Sequence, residues 1–193
     1  MTLLIDNYDS FSYNLYQAIG GMDEHIKVIR NDEMDVEGIF RLKPQRIILS
    51  PGPGRCEDAG ICIEVIQKLG PAIPILGVCL GHQAICTAYQ AVVSHAKQLV
   101  HGKTSIVEID VSSPIFKGLD VHQKVARYHS LAVIEETIPS VLRITARAED
   151  GQIMAVQHTT YPIYGVQFHP ESIMTEHGQE MLENFMNIQG ETR

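Results

Sequence analysis

The chain has 193 residues, with 15 Lys and Arg against 23 Asp and Glu, a formal net charge of −8 at pH 7. That balance excludes a nucleic-acid binder working through bulk positive charge, and a composition 45% hydrophobic and 20% charged excludes general disorder. The longest apolar candidate, Pro74 to Leu80, is cut short by Gly81-His82-Gln83, well below the ~18 residues of a membrane span.

The length suits one domain over residues 1–193. Met1-Thr2-Leu3-Leu4-Ile5-Asp6 has neither a basic start nor a cleavable apolar segment, so a cytoplasmic protein is expected. Thr2 to Ile5 predicts a strand, and Phe11, Leu15, Ala18 and Ile19 recur at helical spacing before Gly20-Gly21. Ile26 to Ile29 is a second strand, Val36 to Leu42 a short helix, and Arg46 to Leu49 a third strand ending at Ser50-Pro51-Gly52-Pro53-Gly54. Ile61, Cys62, Val65, Ile66 and Leu69 share a helix face, Ile73 to Val78 is a continuous apolar strand, and Ala84, Ile85, Ala88 and Tyr89 mark the next helix.

This alternation predicts an α/β fold: a mostly parallel sheet with helices on both faces, which buries near-continuous apolar strands. From Lys103 the pattern changes to successive strand-like runs, Ser105–Ile109, Lys124–Tyr128, Val141–Ala146, Ile153–Gln157 and Ile163–Phe168, so some antiparallel pairing is expected in the carboxyl-terminal half. A final helix carries Met181, Leu182, Phe185 and Met186 on one side.

The four cysteines, Cys56, Cys62, Cys79 and Cys86, form no CxxC pair, and the nine histidines fall in no HExxH or HxH arrangement. Reduced thiols and no metal or other cofactor are expected. One cysteine is different. Gly77-Val78-Cys79-Leu80-Gly81 lies where an apolar strand meets a helix and has the G-x-nucleophile-x-G spacing of a nucleophile elbow. The glycines keep so sharp a turn free of clashes, and the helix amino terminus favours the thiolate, the reactive species. The plainer reading, a buried core thiol, suffices for Cys56, Cys62 and Cys86.

A thiol nucleophile needs a base. His169 follows the strand Ile163–Phe168, and Glu171, two residues on, falls on the same side of an extended chain that Pro170 enforces. Cys79, His169 and Glu171 are therefore a candidate triad of nucleophile, base and orienting acid. His82 and His129 compete as bases, although a residue one turn along the helix from the elbow is poorly placed to reach its sulfur. The Leu80 N–H can serve a developing oxyanion; the Gly52 N–H is the second candidate, its Pro/Gly cluster otherwise reading as a tight turn. Asp6 to Ser10 has the composition of a helix cap.

The elbow Gly77 to Ala84, the turn Ser50 to Gly54 and Gly165-Val166-Gln167-Phe168-His169-Pro170-Glu171-Ser172 together resemble the class I glutamine amidotransferases. Asp6 to Phe11, His101-Gly102-Lys103 and Arg127-Tyr128-His129-Ser130-Leu131 are similar to the glutaminase subunits of anthranilate synthase and 4-amino-4-deoxychorismate synthase. The resemblance implies a single flavodoxin-like domain in which Cys79 attacks the carboxamide of L-glutamine and His169, oriented by Glu171, moves protons. Gly52, Gln83, Ser130 and Leu131 would line the glutamine pocket, and the ammonia would pass to a chorismate-binding synthase subunit, making anthranilate or 4-amino-4-deoxychorismate. Lys103 and the 6–10 loop resemble partner-facing positions. Tyr89-Gln90-Ala91 departs from relatives that carry a glycine pair there, which opens a question about the turn after that helix. Outside this family, a cysteine hydrolase of the α/β-hydrolase kind shares the elbow but places its acid before the histidine, and a silent regulatory module would lack a triad member.

Overall fold

The structure, a computed structural model, describes residues 1–96 and 102–190; His101 of the His-Gly-Lys motif lies outside the described residues. In chain order the elements are β1 (Thr2–Asp6), α1 (Ser12–Gly20), β2 (Ile26–Arg30), α2 (Val36–Leu42), β3 (Arg46–Leu49), α3 (Cys62–Leu69), β4 (Ile75–Val78) and α4 (Leu80–Ala88). They continue as β5 (Val93–His95), β6 (Lys103–Ile109), β7 (His122–Arg127), β8 (Leu131–Val133), β9 (Leu142–Ala148), β10 (Ile153–His158), β11 (Ile163–Val166) and α5 (Gly178–Met186).

Nine strands form one sheet in the order β2-β1-β3-β4-β11-β10-β9-β6-β7. The first five are mutually parallel, in the strand order of a flavodoxin-like doubly wound sheet with β11 as its fifth member. The other four join by antiparallel pairings only, and β5 and β8 form a separate antiparallel ribbon. The antiparallel pairing expected in the second half is present.

Side chains of the parallel strands divide between two faces, as the pleat requires. Leu3, Ile5, Ile47, Leu49, Ile75 and Ile163 join α2, α3 and α4 in one core, whereas Leu4, Ile48, Leu76, Val78, Tyr164 and Val166 join α1 and α5 in the other. α3 buries Cys62, Val65, Ile66 and Leu69, one stripe of a helix. β1, β4 and β11 are buried along their whole length, which is why they read as continuous apolar runs.

Where element limits differ from the sequence reading, the backbone shows why. Ile73 lies outside β4 because its N–H donates to Leu69 O at 2.9 Å, closing the turn after α3. α4 begins at Leu80, directly behind the elbow, and β11 stops at Val166 because the Gln167 N–H turns to Met154 O at 2.8 Å. The short strands β5 and β8 carry too few residues for an alternation to register. The Asp6–Ser10 segment is not a side-chain cap for α1, whose N-cap Phe11 makes no such bond. Asp6 Oδ1 instead accepts from Tyr8 N at 2.9 Å and Ser12 Oγ at 2.7 Å, folding the loop onto itself.

The turn after α4 resolves the departure at residues 89–91. Ala91 N donates to Cys86 O at 2.9 Å and Gln90 N to Thr87 O at 2.9 Å, a Schellman pair, with Gln90 at φ +71°. Gln90 thus holds a left-handed conformation that favours glycine.

Candidate active site

Four loops meet at the carboxyl edge of the parallel strands: the segment after β1, the turn after β3, the elbow after β4 and the segment after β11. Ligand crevices form at this edge because crossovers lead the chain away on either side. At the elbow Cys79 has φ +52° and ψ −100°, a strained conformation for a residue with a Cβ. Its N–H donates to Val166 O at 2.8 Å, and its carbonyl accepts from Gln83 N at 3.1 Å.

The strain is possible because the floor is bare. Gly77 pairs with Gly165 across β4 and β11 and with Leu49 across β3. A Cβ on Gly77 would lie 2.4 Å from the Gly81 backbone, one on Gly81 2.5 Å from Leu49 O, and one on Gly165 2.8 Å from His82 Nδ1. The start of α4 rests on these glycines, and Cys79 is held above the sheet edge, 8% exposed.

His169 is 2% exposed. Its Nδ1 lies 2.7 Å from Glu171 Oε1, and the Glu171 side chain is fully buried. Phe11 and Tyr128 wall the imidazole with centroids 5.1 and 5.0 Å away. Burial opposes charge on His169, but the Cys79 sulfur and the Glu171 carboxylate both favour it and prevail, pushing the imidazole up to about 10. With Nδ1 committed to Glu171, the nitrogen left for the sulfur is Nε2, which is buried without a hydrogen bond. The acid follows the histidine, as in the Cys-His-Glu order and unlike an α/β-hydrolase.

The competing histidines are accounted for. Burial pushes His82 down to about 3, and its Nε2 lies 3.9 Å from Cys86. Burial, helped by Arg127, pushes His129 down to about 4. Neutral His129 accepts from Arg127 Nε at 3.3 Å and contacts Leu131 O through Nδ1 at 3.0 Å. Neither histidine presents a ring nitrogen to Cys79. The other thiols are inert for the same electrostatic reason, since burial pushes Cys56 up to about 11 and Cys62 up to about 12 and raises Cys86 as well.

Gly52 packs against Leu80. A Cβ there would lie 2.5 Å from Leu80 Cδ2 and 2.6 Å from Asn7 Cβ, so only glycine brings this backbone beside the elbow. Asn7 ties the two loops together through its N–H to Ser50 Oγ and its amide to Ser50 O, each 2.8 Å. Leu80 opens α4, where the first N–H groups have no partner within the helix. Gln83 is buried, with Nε2 3.2 Å from Leu131 O, while Ser130 is exposed at the start of β8. The structure therefore brings Cys79, His169, Glu171, Gly52, Leu80, Gln83 and Leu131 to one edge, with Ser130 at its rim.

Two residues escaped sequence reasoning. Gly165 completes the bare floor, and the signal was its place in an apolar strand where a side chain would otherwise pack. Gln167, fully buried, donates Nε2 to Cys79 Sγ at 3.6 Å. Its signal was position, two residues before His169 on the same side of an extended segment. Among the described residues no group of His, Cys, Asp or Glu is placed to hold a metal ion, and no helix is long and apolar enough to cross a membrane.

A strained cysteine facing a histidine-carboxylate pair on a flavodoxin-like sheet defines a class of cysteine-dependent α/β enzyme, and the chain belongs to the class I glutamine amidotransferase family, whose description "Glutamine amidotransferase class-I" matches residues 3–188. The aminodeoxychorismate/anthranilate synthase component 2 of Bacillus subtilis is 50% identical over 186 residues, 96% of this chain and 95% of the relative. The bifunctional protein TrpGD of Thermotoga maritima is 49% identical over 97% of this chain, which spans only 32% of that longer relative. The crystal structure of a putative GMP synthase protein from Thermoplasma acidophilum superposes with TM-score 0.85 at 26% identity, covering 96% of this chain and 91% of that one.

Proposed function

We propose that the chain is the glutaminase subunit of a two-component synthase that aminates chorismate, with anthranilate as product. The observation that carries the chemistry is Cys79 at φ +52° facing His169, whose Nδ1 is held by Glu171 at 2.7 Å. The likeness to a component 2 that serves both aminodeoxychorismate and anthranilate synthases supports the partner and substrate. It equally favours a second reading, 4-amino-4-deoxychorismate as product or one subunit shared by both enzymes.

In this reading the Cys79 thiolate attacks the side-chain carbonyl carbon of L-glutamine. The oxyanion meets the N–H groups of Leu80 and Gly52, preorganised donors that gain strength where water is excluded. His169, charged by its two anionic neighbours, gives the Nε2 proton to the departing nitrogen, and ammonia leaves a γ-glutamyl thioester. The neutral imidazole then takes a proton from water, which hydrolyses the thioester to glutamate. Glu171 keeps the ring oriented through both steps. Gln83 and the Ser130–Leu131 backbone hold the amino-acid end of the substrate. One domain over residues 1–193 working in the reducing cytoplasm accords with four buried cysteines, none of them paired.

The test mixes the purified chain in turn with the chorismate-binding component of an anthranilate synthase and that of an aminodeoxychorismate synthase, supplying glutamine and chorismate. Anthranilate formation with the first alone is expected; product with both indicates a shared subunit. No glutamine-dependent product with either would withdraw the assignment.

A further inference from the structure

We propose that Gln167 is a further catalytic residue, donating its side-chain N–H to the Cys79 sulfur and holding it as an oriented thiolate for attack. The inference rests on the reading of Cys79 as nucleophile and names a group which that reading does not use.

The direction of the hydrogen bonds leaves no freedom. The Leu131 carbonyl can only accept, so the Gln83 atom 3.2 Å from it is the amide nitrogen. The same nitrogen lies 3.2 Å from the Gln167 side chain, which must present its oxygen there. Gln167 Nε2 is then left for Cys79 Sγ at 3.6 Å. Behind Leu131 the order continues: His129 Nδ1, 3.0 Å away, donates to the same carbonyl, and Arg127 Nε donates to His129 Nε2 at 3.3 Å. Asp150 anchors Arg127 at 3.0 Å. Each amide in this relay is fixed by a group that cannot exchange roles.

Placement supports a chemical role over a packing role. Gln167 is 0% exposed and its backbone is tied to Met154 O; a buried amide aimed at sulfur, a weak acceptor when neutral, is poorly satisfied unless the sulfur carries charge. His169 faces the same sulfur from the other side, so the two groups define the direction in which the lone pairs are free. A thiolate held by one imidazolium alone would be free to swing toward it; a second donor restrains it near the position required for attack.

The test measures alkylation of Cys79 by iodoacetamide against pH in the full chain, read by mass spectrometry, alongside glutamine hydrolysis and thermal melting. Gln167→Leu removes the donor at similar volume, and Gln167→Glu keeps the shape but places a carboxylate beside the sulfur. The midpoint of the alkylation profile is expected to move up by about one pH unit in the first and further in the second, because one charge-assisted hydrogen bond is lost and then replaced by repulsion. The high-pH plateau stays unchanged, and kcat falls about tenfold, equivalent to one such shift. Folded variants with the unsubstituted profile would overturn the proposal. Should both fail to fold, Gln83→Met, which frees the Gln167 amide without touching it, decides: a smaller upward movement supports the role and none removes it. If Cys79 of the unsubstituted chain alkylates no faster than Cys56, the nucleophile itself is wrong, and the role of Gln167 falls with it.

Discussion

The two halves of the sheet each deliver a nearly fully buried histidine to the same edge, and the protein charges one and neutralises the other. His169, after the parallel strand β11, has an acid at Nδ1 and a sulfur beyond Nε2, and is pushed up to about 10 against the cost of burial. His129, after the antiparallel strand β7, is as deeply buried, but its neighbour is the Arg127 guanidinium, and it is pushed down to about 4. Burial alone predicts the same outcome for both. The neighbouring charge decides which imidazole moves protons and which is a fixed polar strut.

The largest effect expected is loss of chemistry with the fold kept. Cys79→Ala should lower glutamine hydrolysis by about 10⁴-fold or more, with urea midpoint and partner binding retained; residual activity near the original rate would move the nucleophile elsewhere. Glu171→Gln should lower it by about 10²-fold, and the loss should deepen on the alkaline side. Without the carboxylate His169 sheds its proton well below the about 10 it reaches in the intact site. A pH–rate profile with an unmoved alkaline limb would detach Glu171 from the base.

The other half is broken through Arg127, nearly wholly buried and paired to partly exposed Asp150. Arg127→Met should cost about 2 kcal/mol of stability, below the range for fully buried pairs because Asp150 remains partly solvated. It should raise KM more than it lowers kcat, since Leu131 and Gln83 lose their brace while the triad stays whole. An equal fall of kcat with KM unchanged would show that the strut acts on the chemistry instead.

Stability against pH sharpens the contrast further. Below the ordinary imidazole value of about 6.5, the unfolded chain binds protons that buried His82 and His129 refuse, so stability falls as pH drops toward 4. Above about 6.5 the folded chain keeps the His169 proton that the unfolded chain gives up, so stability falls as pH rises toward 10. Urea titrations should therefore peak near pH 6.5, and Glu171→Gln should flatten the alkaline side alone. The smallest effect lies outside both halves: Gln90→Gly, relieving φ +71° behind α4, should stabilise by about 1 kcal/mol in thermal melts.

Much of the site was legible because its parts depend on local geometry. A glycine on each side of Cys79 announces a turn too sharp for other residues, and the His169-Pro170-Glu171 spacing puts an acid beside a base whatever surrounds them. The parallel strands were legible because burial on both faces removes the polar positions that would otherwise break their runs. Less visible was everything set across the sheet. The Asp6–Ser10 loop has the composition of a cap but folds around Asp6, because Arg30 and Asn31 on a neighbouring element offer partners that no local pattern encodes.

The sequence by itself determined the nucleophile elbow, the base and its acid, and the alternation that builds the parallel half, since each is written within a few residues. Only the tertiary structure decided that Gly165 lies opposite Gly77, that His129 is neutral while His169 is charged, and that Gln167 points its amide at the sulfur. Those outcomes depend on strand register and on which charges become neighbours once strands far apart in sequence are paired.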